Sequence, residues 1–142
     1  MLTVALVACT KQKLPRAAPA KELYTGDLFK KSRAYAEANT DEWWVLSAKH
    51  GVVHPDEVIA PYDVTLAAMS GQQLHRWAHD VRDTLVLTYA GGEPVEFVFL
   101  AGRFYREWPT HYLSQNGWAS CTDPLAGLGI GDRKAWMKAR TP

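Results

Sequence analysis

The sequence predicts an α/β protein with a three-layer α/β/α fold, built on a short, mostly parallel sheet of three to four strands. Apolar runs that suit buried strands alternate along the chain with segments whose apolar residues recur at helical spacing. This alternation favours parallel strands joined by crossover helices on both faces of the sheet. A chain of 142 residues is long enough for one hydrophobic core and too short for two, so residues 1–142 are predicted to form a single domain.

The first elements are a strand, a loop and a helix. Leu2–Ala8 is a continuous apolar run with β-branched residues, which is typical of a strand buried on both faces. Residues 9–23 contain prolines and show no periodicity, so they are predicted to form a long loop of the kind that covers a functional site. Asp27 or Thr25 is expected to cap a helix that runs to about Asn39.

The middle of the chain predicts two more strands and one long helix. Residues 43–46 form the second strand, which ends abruptly at the polar Ser47. Ser70 is expected to cap a helix over residues 71–89, because the apolar residues there keep helical spacing. The third strand is predicted at Val95–Leu100, after a Gly-Gly break.

The C-terminal part is predicted to hold shorter elements. A helical segment opens at Gly102, and Pro109 either ends it or lies one turn before its end. A short fourth strand is predicted over residues 118–121. A terminal helix that carries Trp136 follows a loop punctuated by glycines.

The composition is that of an ordinary soluble globular protein, with 47% hydrophobic and 22% charged residues. The opening stretch MLTVALVACT has no basic n-region and is too short to span a bilayer, so neither a signal peptide nor a membrane partner is predicted. Cys9 and Cys121 form neither a disulfide framework nor a metal-ligand pattern. We therefore expect a reduced, cytoplasmic setting, with no metal and no cofactor.

The net charge of +1 argues against a protein that binds nucleic acid by bulk charge alone. Basic residues nevertheless dominate between Lys11 and Arg33, and acidic residues dominate between His54 and Glu96. Such asymmetry allows a basic face for a partner that carries phosphate. For the basic residues at 30–33, a solvated helix surface is an equal alternative.

The densest polar stretch follows the second strand, within WVLSAKHGVVHPDEVIAPYDVTL at residues 44–66. A buried strand that opens into a rigid polar loop presents a site at the carboxyl end of an open α/β sheet. His50 titrates near neutrality and can act as acid or base, and Gly51 allows a sharp turn or a ligand's close approach. Asp63 follows a rigid Pro-Tyr pair and could pair with Lys49 or His50. Each residue taken alone is equally well explained as a structural loop group, so the predicted site rests on the cluster.

A second polar stretch, CTKQK at residues 9–13, follows the first strand. Its backbone amides, together with Lys11 and Lys13, could hold a phosphate or a carboxylate, and Thr10 could donate a hydroxyl. The stretch is not a P-loop, because the glycines and the Gly-Lys-Ser/Thr ending are missing.

Cys9 has two interpretations. It is either a buried residue that only packs, or a nucleophile with His50 as its base. The second interpretation, like the whole site, requires that the ends of the first and second strands lie side by side. Residues 9–13 and 47–63 are therefore predicted to surround one shared hollow.

The spacing in the polar loop resembles a known signature. Tyr24-Thr25-Gly26 is similar to the YTG segment of the YaaA-like peroxide-stress proteins, and Lys11 is similar to their lysine after the first strand. The match covers about the first half of the chain, and small bacterial and phage members with an LSAKHG loop are especially similar. The signature of the family, LSxxxGVxxPxxxxxPY, is reproduced by Leu46-Ser47, Gly51-Val52, Pro55 and Pro61-Tyr62.

The resemblance implies an α/β core, DNA binding and a role around damaged or modified nucleic acid. It also implies kinship with the uracil-DNA-glycosylase-like α/β/α fold found in archaeosine-forming tRNA enzymes. The chain departs from the family with His50 in place of a tyrosine and Asp63 in place of an arginine, and it lacks the larger C-terminal part of the long members. Both substitutions make the site more capable of acid–base chemistry.

We therefore expect an enzyme that acts on a nucleobase or nucleotide and cleaves or exchanges an N-glycosidic bond on DNA, or on RNA, at a damaged or modified base. The reaction builds positive charge on the sugar, which Asp63 or Asp56 would stabilise, while His50 or Lys49 would protonate the departing base. The expected partner is nucleic acid, DNA rather than RNA, or a nucleotide. The expected substrate-binding residues are Cys9, Thr10, Lys11, Lys13, Tyr24, Ser47, Gly51, Tyr62, Arg103 and Tyr105.

Two alternatives stay open. The first is a non-catalytic DNA-binding module of the YaaA-like type, which senses damaged or modified nucleic acid. The second is a nucleotide-binding regulatory domain for a partner protein.

Overall fold

The computed structural model describes residues 1–142 and contains two sheets and five α-helices. The strands are β1 (Leu2–Ala8), β2 (Ala18–Pro19), β3 (Glu42–Ser47), β4 (Gly51–Val53), β5 (Val58–Ile59), β6 (Val95–Leu100) and β7 (Ala119–Thr122). The helices are α1 (Ala20–Leu23), α2 (Asp27–Asn39), α3 (Gly71–Tyr89), α4 (Arg103–Leu113) and α5 (Ile130–Ala139). A 3₁₀ turn spans Leu66–Ala68.

The main sheet has five strands in the order β4-β3-β1-β6-β7. β1 lies at its centre and pairs in parallel with both β3 and β6, and β7 pairs in parallel with β6. β4 runs antiparallel to β3 at one edge. The predicted short, mostly parallel sheet is confirmed with one strand more than expected, because residues 51–53, which were expected in a loop, fold back as β4.

Helices cover both faces of this sheet. α2 packs with α5, and α3 packs with α4. The connection from β1 through α2 runs toward one edge of the sheet and the connection from β3 through α3 runs toward the other, so right-handed crossovers place these two helices on opposite faces. The predicted three-layer α/β/α fold is therefore confirmed. One hydrophobic cluster of 30 buried residues holds the layers together.

The helix boundaries follow from local chemistry. Ser70 caps α3 as predicted, because its hydroxyl accepts the Gln73 amide while the Gln73 side chain accepts the Ser70 amide. α2 ends at Asn39 as predicted, but the predicted cap by Asp27 or Thr25 is wrong, because Gly26 occupies the N-cap position and no side chain caps the helix. α4 continues past Pro109 to Leu113. None of the helices is both long enough and apolar enough to cross a membrane.

The predicted loop over residues 9–23 is partly built into the fold. β2 pairs antiparallel with β5, and the amides of Ala20 and Lys21 donate to the carbonyls of Glu57 (2.8 Å) and Pro55 (2.9 Å). These bonds fasten the loop to the segment that follows β4. The loop is thus a structural connection and carries its polar residues at its start, directly after β1.

Candidate active site between the two central strands

A crevice opens at the carboxyl ends of β1 and β6, which are neighbours in the main sheet. The chain leaves β1 for α2 on one face and leaves β6 for α4 on the other, so the two connections diverge at this point. Open α/β sheets bind ligands at such topological switch points. The polar loop after β3 lies next to the crevice and reaches it through residues 63–65.

Two adjoining cavities occupy the crevice. The apolar chamber has a volume of about 240 Å³, and ten of the fifteen residues that line it are hydrophobic. The polar chamber has a volume of about 400 Å³ and is lined on its own side by Lys11, Lys13, Asp63, Val64 and Thr65. Cys9, Thr10 and Tyr105 line both chambers and form the wall between them.

The apolar chamber has exposed apolar side chains beside its buried wall. Phe29 and Leu100 are buried, whereas Phe104 is 49% and Ile130 is 63% exposed. When a ligand removes exposed apolar side chains of this size from water, the burial of their surface contributes to the free energy of binding. The chamber therefore suits a flat, largely apolar group.

Hydrogen-bond donors face the chambers from the shared wall and from α4. The buried hydroxyl oxygen of Thr10 has no hydrogen-bond partner, which is uncommon for a buried polar atom. Gly102 lines the apolar chamber at the start of α4 and offers no side-chain cap, so the first amides of this helix lack a side-chain acceptor. A ligand with acceptor oxygens or nitrogens can satisfy both.

A chain of hydroxyl groups joins the end of β3 to the loop that forms the polar chamber. The buried Ser47 donates to the Tyr62 hydroxyl at 2.8 Å, and the Tyr24 hydroxyl lies 2.7 Å from the same oxygen. Ser47 Oγ also accepts the amides of Lys49 (3.2 Å) and His50 (3.0 Å). Because these amides fill both acceptor positions of Ser47, its own proton must go to Tyr62.

Three tyrosine hydroxyls surround the thiol of Cys9. The thiol donates to the Tyr105 hydroxyl at 3.4 Å. Burial raises the pKa of Tyr24 to about 12, and burial also raises the pKa of Tyr62 and of Tyr105. The nearby Cys9 adds to the rise in pKa in all three cases. The three phenols are therefore protonated at neutral pH and can donate hydrogen bonds.

Two lysines bring positive charge to the polar chamber. Lys13 Nζ lies 4.5 Å from the centre of the Tyr62 ring and 5.7 Å from that of Tyr24, within cation–π range. It also donates to the Lys11 carbonyl at 3.3 Å. Neither lysine has a carboxylate within salt-bridge distance. Both ammonium groups are thus available to an anion.

Of the residues predicted to be catalytic, Asp63 alone lines a chamber. His50 is exposed, and its ring stands edge-on to the Tyr62 ring at 5.7 Å between centres. The thiol of Cys9 is bonded to Tyr105 instead of to His50. The interpretation of Cys9 as a nucleophile with His50 as its base is therefore not supported, because the turn before β4 points residues 49 and 50 to the surface.

Lys49, Asp56 and Arg103 are also placed differently from what the sequence predicted. Lys49 lies in a separate shallow groove on the α3 side. Asp56 forms an ion pair with Lys21 at 2.7 Å, which lowers the pKa of its carboxyl group, and lies in another groove. Arg103 lines the apolar chamber but is paired with Glu107 at 2.6 Å. Asp56 therefore cannot serve the same site as Asp63.

Apart from Arg103 in the apolar chamber, the predicted substrate-binding residues that lie at the crevice fall into two groups. Those that line the polar chamber are Cys9, Thr10, Lys11, Lys13 and Tyr105, and those in the hydroxyl chain beside it are Tyr24, Ser47 and Tyr62. Gly51 belongs to neither group. Its φ of +72° makes the turn into β4, so it serves the hairpin and not a ligand.

Sequence reasoning missed Phe104, Ile130 and Arg133 in the apolar chamber. It centred the site on the end of β3, whereas the switch point lies between β1 and β6. The order of the strands in the sheet depends on pairing between distant parts of the chain, and local sequence patterns do not predict it. One local feature could have indicated this site: Gly102, between the end of β6 and the start of α4, leaves the helix without a side-chain cap.

Comparison with known proteins identifies the family. Residues 4–139 match a family of unknown function, DUF6884. A relative from Bacillus subtilis (strain 168), the "Uncharacterized protein YfjM", is 30% identical over 118 residues, with 75% of this chain and 73% of the relative covered. No solved structure matches the chain, and the resemblance to YaaA-like proteins stays a prediction. Because the family match spans nearly the full length, the chain belongs to the DUF6884 family.

Proposed function

We propose that the protein is an enzyme that acts on a nucleotide and cleaves or exchanges its N-glycosidic bond. The observation that carries this proposal is the pair of adjoining chambers with opposite chemistry. One is apolar, the other holds two unpaired lysines and a carboxylate, and they share the wall Cys9–Thr10–Tyr105. A nucleotide has the same division, with a flat base at one end and a sugar phosphate at the other.

The base would occupy the apolar chamber. Phe104 and Ile130 would cover its faces, and both are exposed without a ligand. Stacking of a base on an aromatic ring contributes about 1–3 kcal/mol. Thr10 and the first amides of α4 would donate to the nitrogens or carbonyl oxygens of the base.

The sugar and phosphate would occupy the polar chamber. Lys11 and Lys13 would bind phosphate, since neither is neutralised by a carboxylate. Asp63 would then face the sugar. This places a carboxylate where the reaction develops positive charge.

The chemistry follows from this placement. The bond between the sugar carbon C1′ and the base nitrogen breaks, and its electron pair leaves with the base. Asp63 stabilises the sugar cation and takes a proton from the water that attacks C1′, while the departing base takes a proton from solvent water; the proton on Asp63 then returns to solvent. Tyr105 and Thr10 stabilise the departing base by hydrogen bonding from the shared wall. In base exchange, a second base replaces the water.

Base release measured by chromatography tests the proposal. Substrates are nucleoside monophosphates and single- and double-stranded oligonucleotides, each with ordinary and damaged or modified bases. We expect Asp63→Asn to lower the rate by roughly 10²–10⁴-fold and to leave ligand affinity nearly unchanged. Asp80→Asn is the matched control, because Asp80 is an exposed carboxylate on α3 outside the crevice.

A different result would favour the non-catalytic reading. If the protein binds oligonucleotides, no base is released from any substrate, and Asp63→Asn changes affinity alone, the protein is a nucleic-acid-binding module. In that case the polar chamber would serve to recognise a phosphate and not to carry out a reaction.

A further inference from the structure

We propose that the substrate of this crevice is a free nucleoside monophosphate and not a nucleotide within a strand. This inference rests on the proposed function and names its substrate class. It is carried by the charges of the polar chamber, where two lysines without carboxylate partners can hold one phosphate group.

The polar chamber offers free positive charge to one phosphate group. Lys11 and Lys13 are its two cations, and neither is paired with a carboxylate. Their backbones are two residues apart, and Lys13 Nζ lies 3.3 Å from the Lys11 carbonyl. Two neighbouring ammonium groups can bind the oxygens of a single phosphate.

Three cations on the elements around the crevice are neutralised by carboxylates of the protein itself. On α4, Arg103 pairs with Glu107 at 2.6 Å. At the start of α2, Asp27 pairs with both Lys31 (2.8 Å) and Lys134 (3.3 Å). These side chains already have partners, so a second phosphate would have to displace a carboxylate to reach them.

Arg133 is a further cation at the crevice. It has no carboxylate partner, and its Nε donates to the Leu128 carbonyl at 2.8 Å. It lines the apolar chamber and not the polar one. Arg133 therefore does not extend the row formed by Lys11 and Lys13, and it is placed to meet the base.

A nucleic-acid strand needs a row of positive charges, and the polar chamber has only two neighbouring lysines. Proteins that bind single strands use a positively charged groove that follows successive phosphates. Beside the two lysines, the next charge in the polar chamber is the exposed carboxylate of Asp63, which repels a second phosphate. A terminal phosphate also carries more negative charge than a phosphodiester, so the two lysines favour the free nucleotide.

Isothermal titration calorimetry tests this inference directly. The probes are the 5′-monophosphates of the common nucleosides, the nucleosides themselves, and trinucleotides in which the same nucleotide is flanked by phosphates on both sides. We expect at least one monophosphate to bind about tenfold or more tightly than its nucleoside and its trinucleotide. The double variant Lys11→Gln/Lys13→Gln should lose that advantage.

A control variant matches the change in charge. Lys30 and Lys138 are exposed and unpaired, and neither lines a chamber, so Lys30→Gln/Lys138→Gln should bind like the wild type. The inference is overturned if trinucleotides bind as tightly as monophosphates, if the phosphate adds no affinity, or if none of the probes binds.

The same samples separate this inference from the proposed reaction. Preferred binding of a monophosphate without release of its base would refute the glycosidic chemistry and leave the ligand class standing. Release of base from oligonucleotides but not from monophosphates would refute the ligand class and leave the chemistry standing.

Discussion

The phenolic oxygen of Tyr62 lies 2.8 Å from the hydroxyl of Ser47, which is 15 residues earlier in the chain. This bond ties the loop that carries Asp63 to the end of β3. Trp77 on α3 donates its indole N–H to the carbonyl of the same serine at 2.9 Å. Strand, loop and helix thus meet at one buried residue, and the position of Asp63 in the polar chamber depends on it.

Ser47→Ala should destabilise the protein. The substitution leaves the amides of Lys49 and His50 without their acceptor and Tyr62 without a donor, so we expect the free energy of unfolding to fall by about 1–3 kcal/mol. Urea denaturation measures this. Ser120→Ala, on an exposed position of β7, should change the same quantity by less than about 0.5 kcal/mol. Equal stability of the two variants would contradict the role given to the hydroxyl chain.

Phe104→Ala should weaken ligand binding without weakening the fold. Because Phe104 is half-exposed beside the apolar chamber, its loss removes base stacking worth about 1–3 kcal/mol, or roughly 5- to 150-fold in Kd. Calorimetry with the tightest-binding nucleotide gives the value. Leu87→Ala is the matched control, since Leu87 is 89% exposed and lies away from both chambers. Unchanged affinity in Phe104→Ala would place the base elsewhere.

Stability should fall in alkaline solution as the buried phenols are forced to ionise. Burial raises the pKa of Tyr24 to about 12 in the folded protein, against about 10 in the unfolded chain. Below about pH 10 both states are protonated and the contribution of this group is complete, whereas between about pH 10 and 12 only the unfolded state ionises. Urea denaturation at several pH values from about 9 to about 12 should show this decline in the free energy of unfolding. Tyr24→Phe should decline less steeply, and an identical slope would contradict the assignment.

Asp41→Asn should destabilise the protein at neutral pH and much less in acid. The amide and hydroxyl of Thr3 donate to the Asp41 carboxylate at 2.8 and 2.9 Å and hold its pKa below the usual range. The stabilisation is therefore complete above the ordinary carboxyl pKa of about 4 and is lost as the pH falls through the lower folded value. Denaturation at pH 7 and at about pH 2.5 measures the gap between variant and wild type. A gap that stays constant would show that ionisation of Asp41 is not involved.

The elements with long regular patterns could be predicted from the sequence. β1, α3 and β6 lie where the sequence placed them, because an unbroken apolar run, a capping box and helical periodicity are local signals. β4 was not predicted, because three residues after a turn carry no period of their own. β2 and β5 were missed for the same reason, since each has two residues and is held by the other.

The candidate site could be predicted in part. The hollow expected between residues 9–13 and 47–63 is formed only in part, because Cys9, Thr10, Lys11 and Lys13 line the polar chamber but Asp63 is the one residue of 47–63 that does. His50 lies outside both chambers, because the β3–β4 hairpin turns it outward. Phe104 could not be found from residue spacing. Its position beside the apolar chamber depends on the pairing of β6 with β1, in which Val95 lies opposite Leu2. Local sequence patterns do not reveal such a long-range pairing.

The central position of β1 has a consequence for biosynthesis. Val4 is flanked by Glu42 on one side and by Phe97 on the other, so β1, which is translated before both of its neighbours, waits for residues 95–100 before its second side is hydrogen-bonded. An unpaired apolar strand is a template for intermolecular pairing. A nascent chain that stalls before β6 is therefore expected to aggregate or to bind a chaperone. The crevice between β1 and β6 cannot form until β6 has been synthesised and has paired with β1.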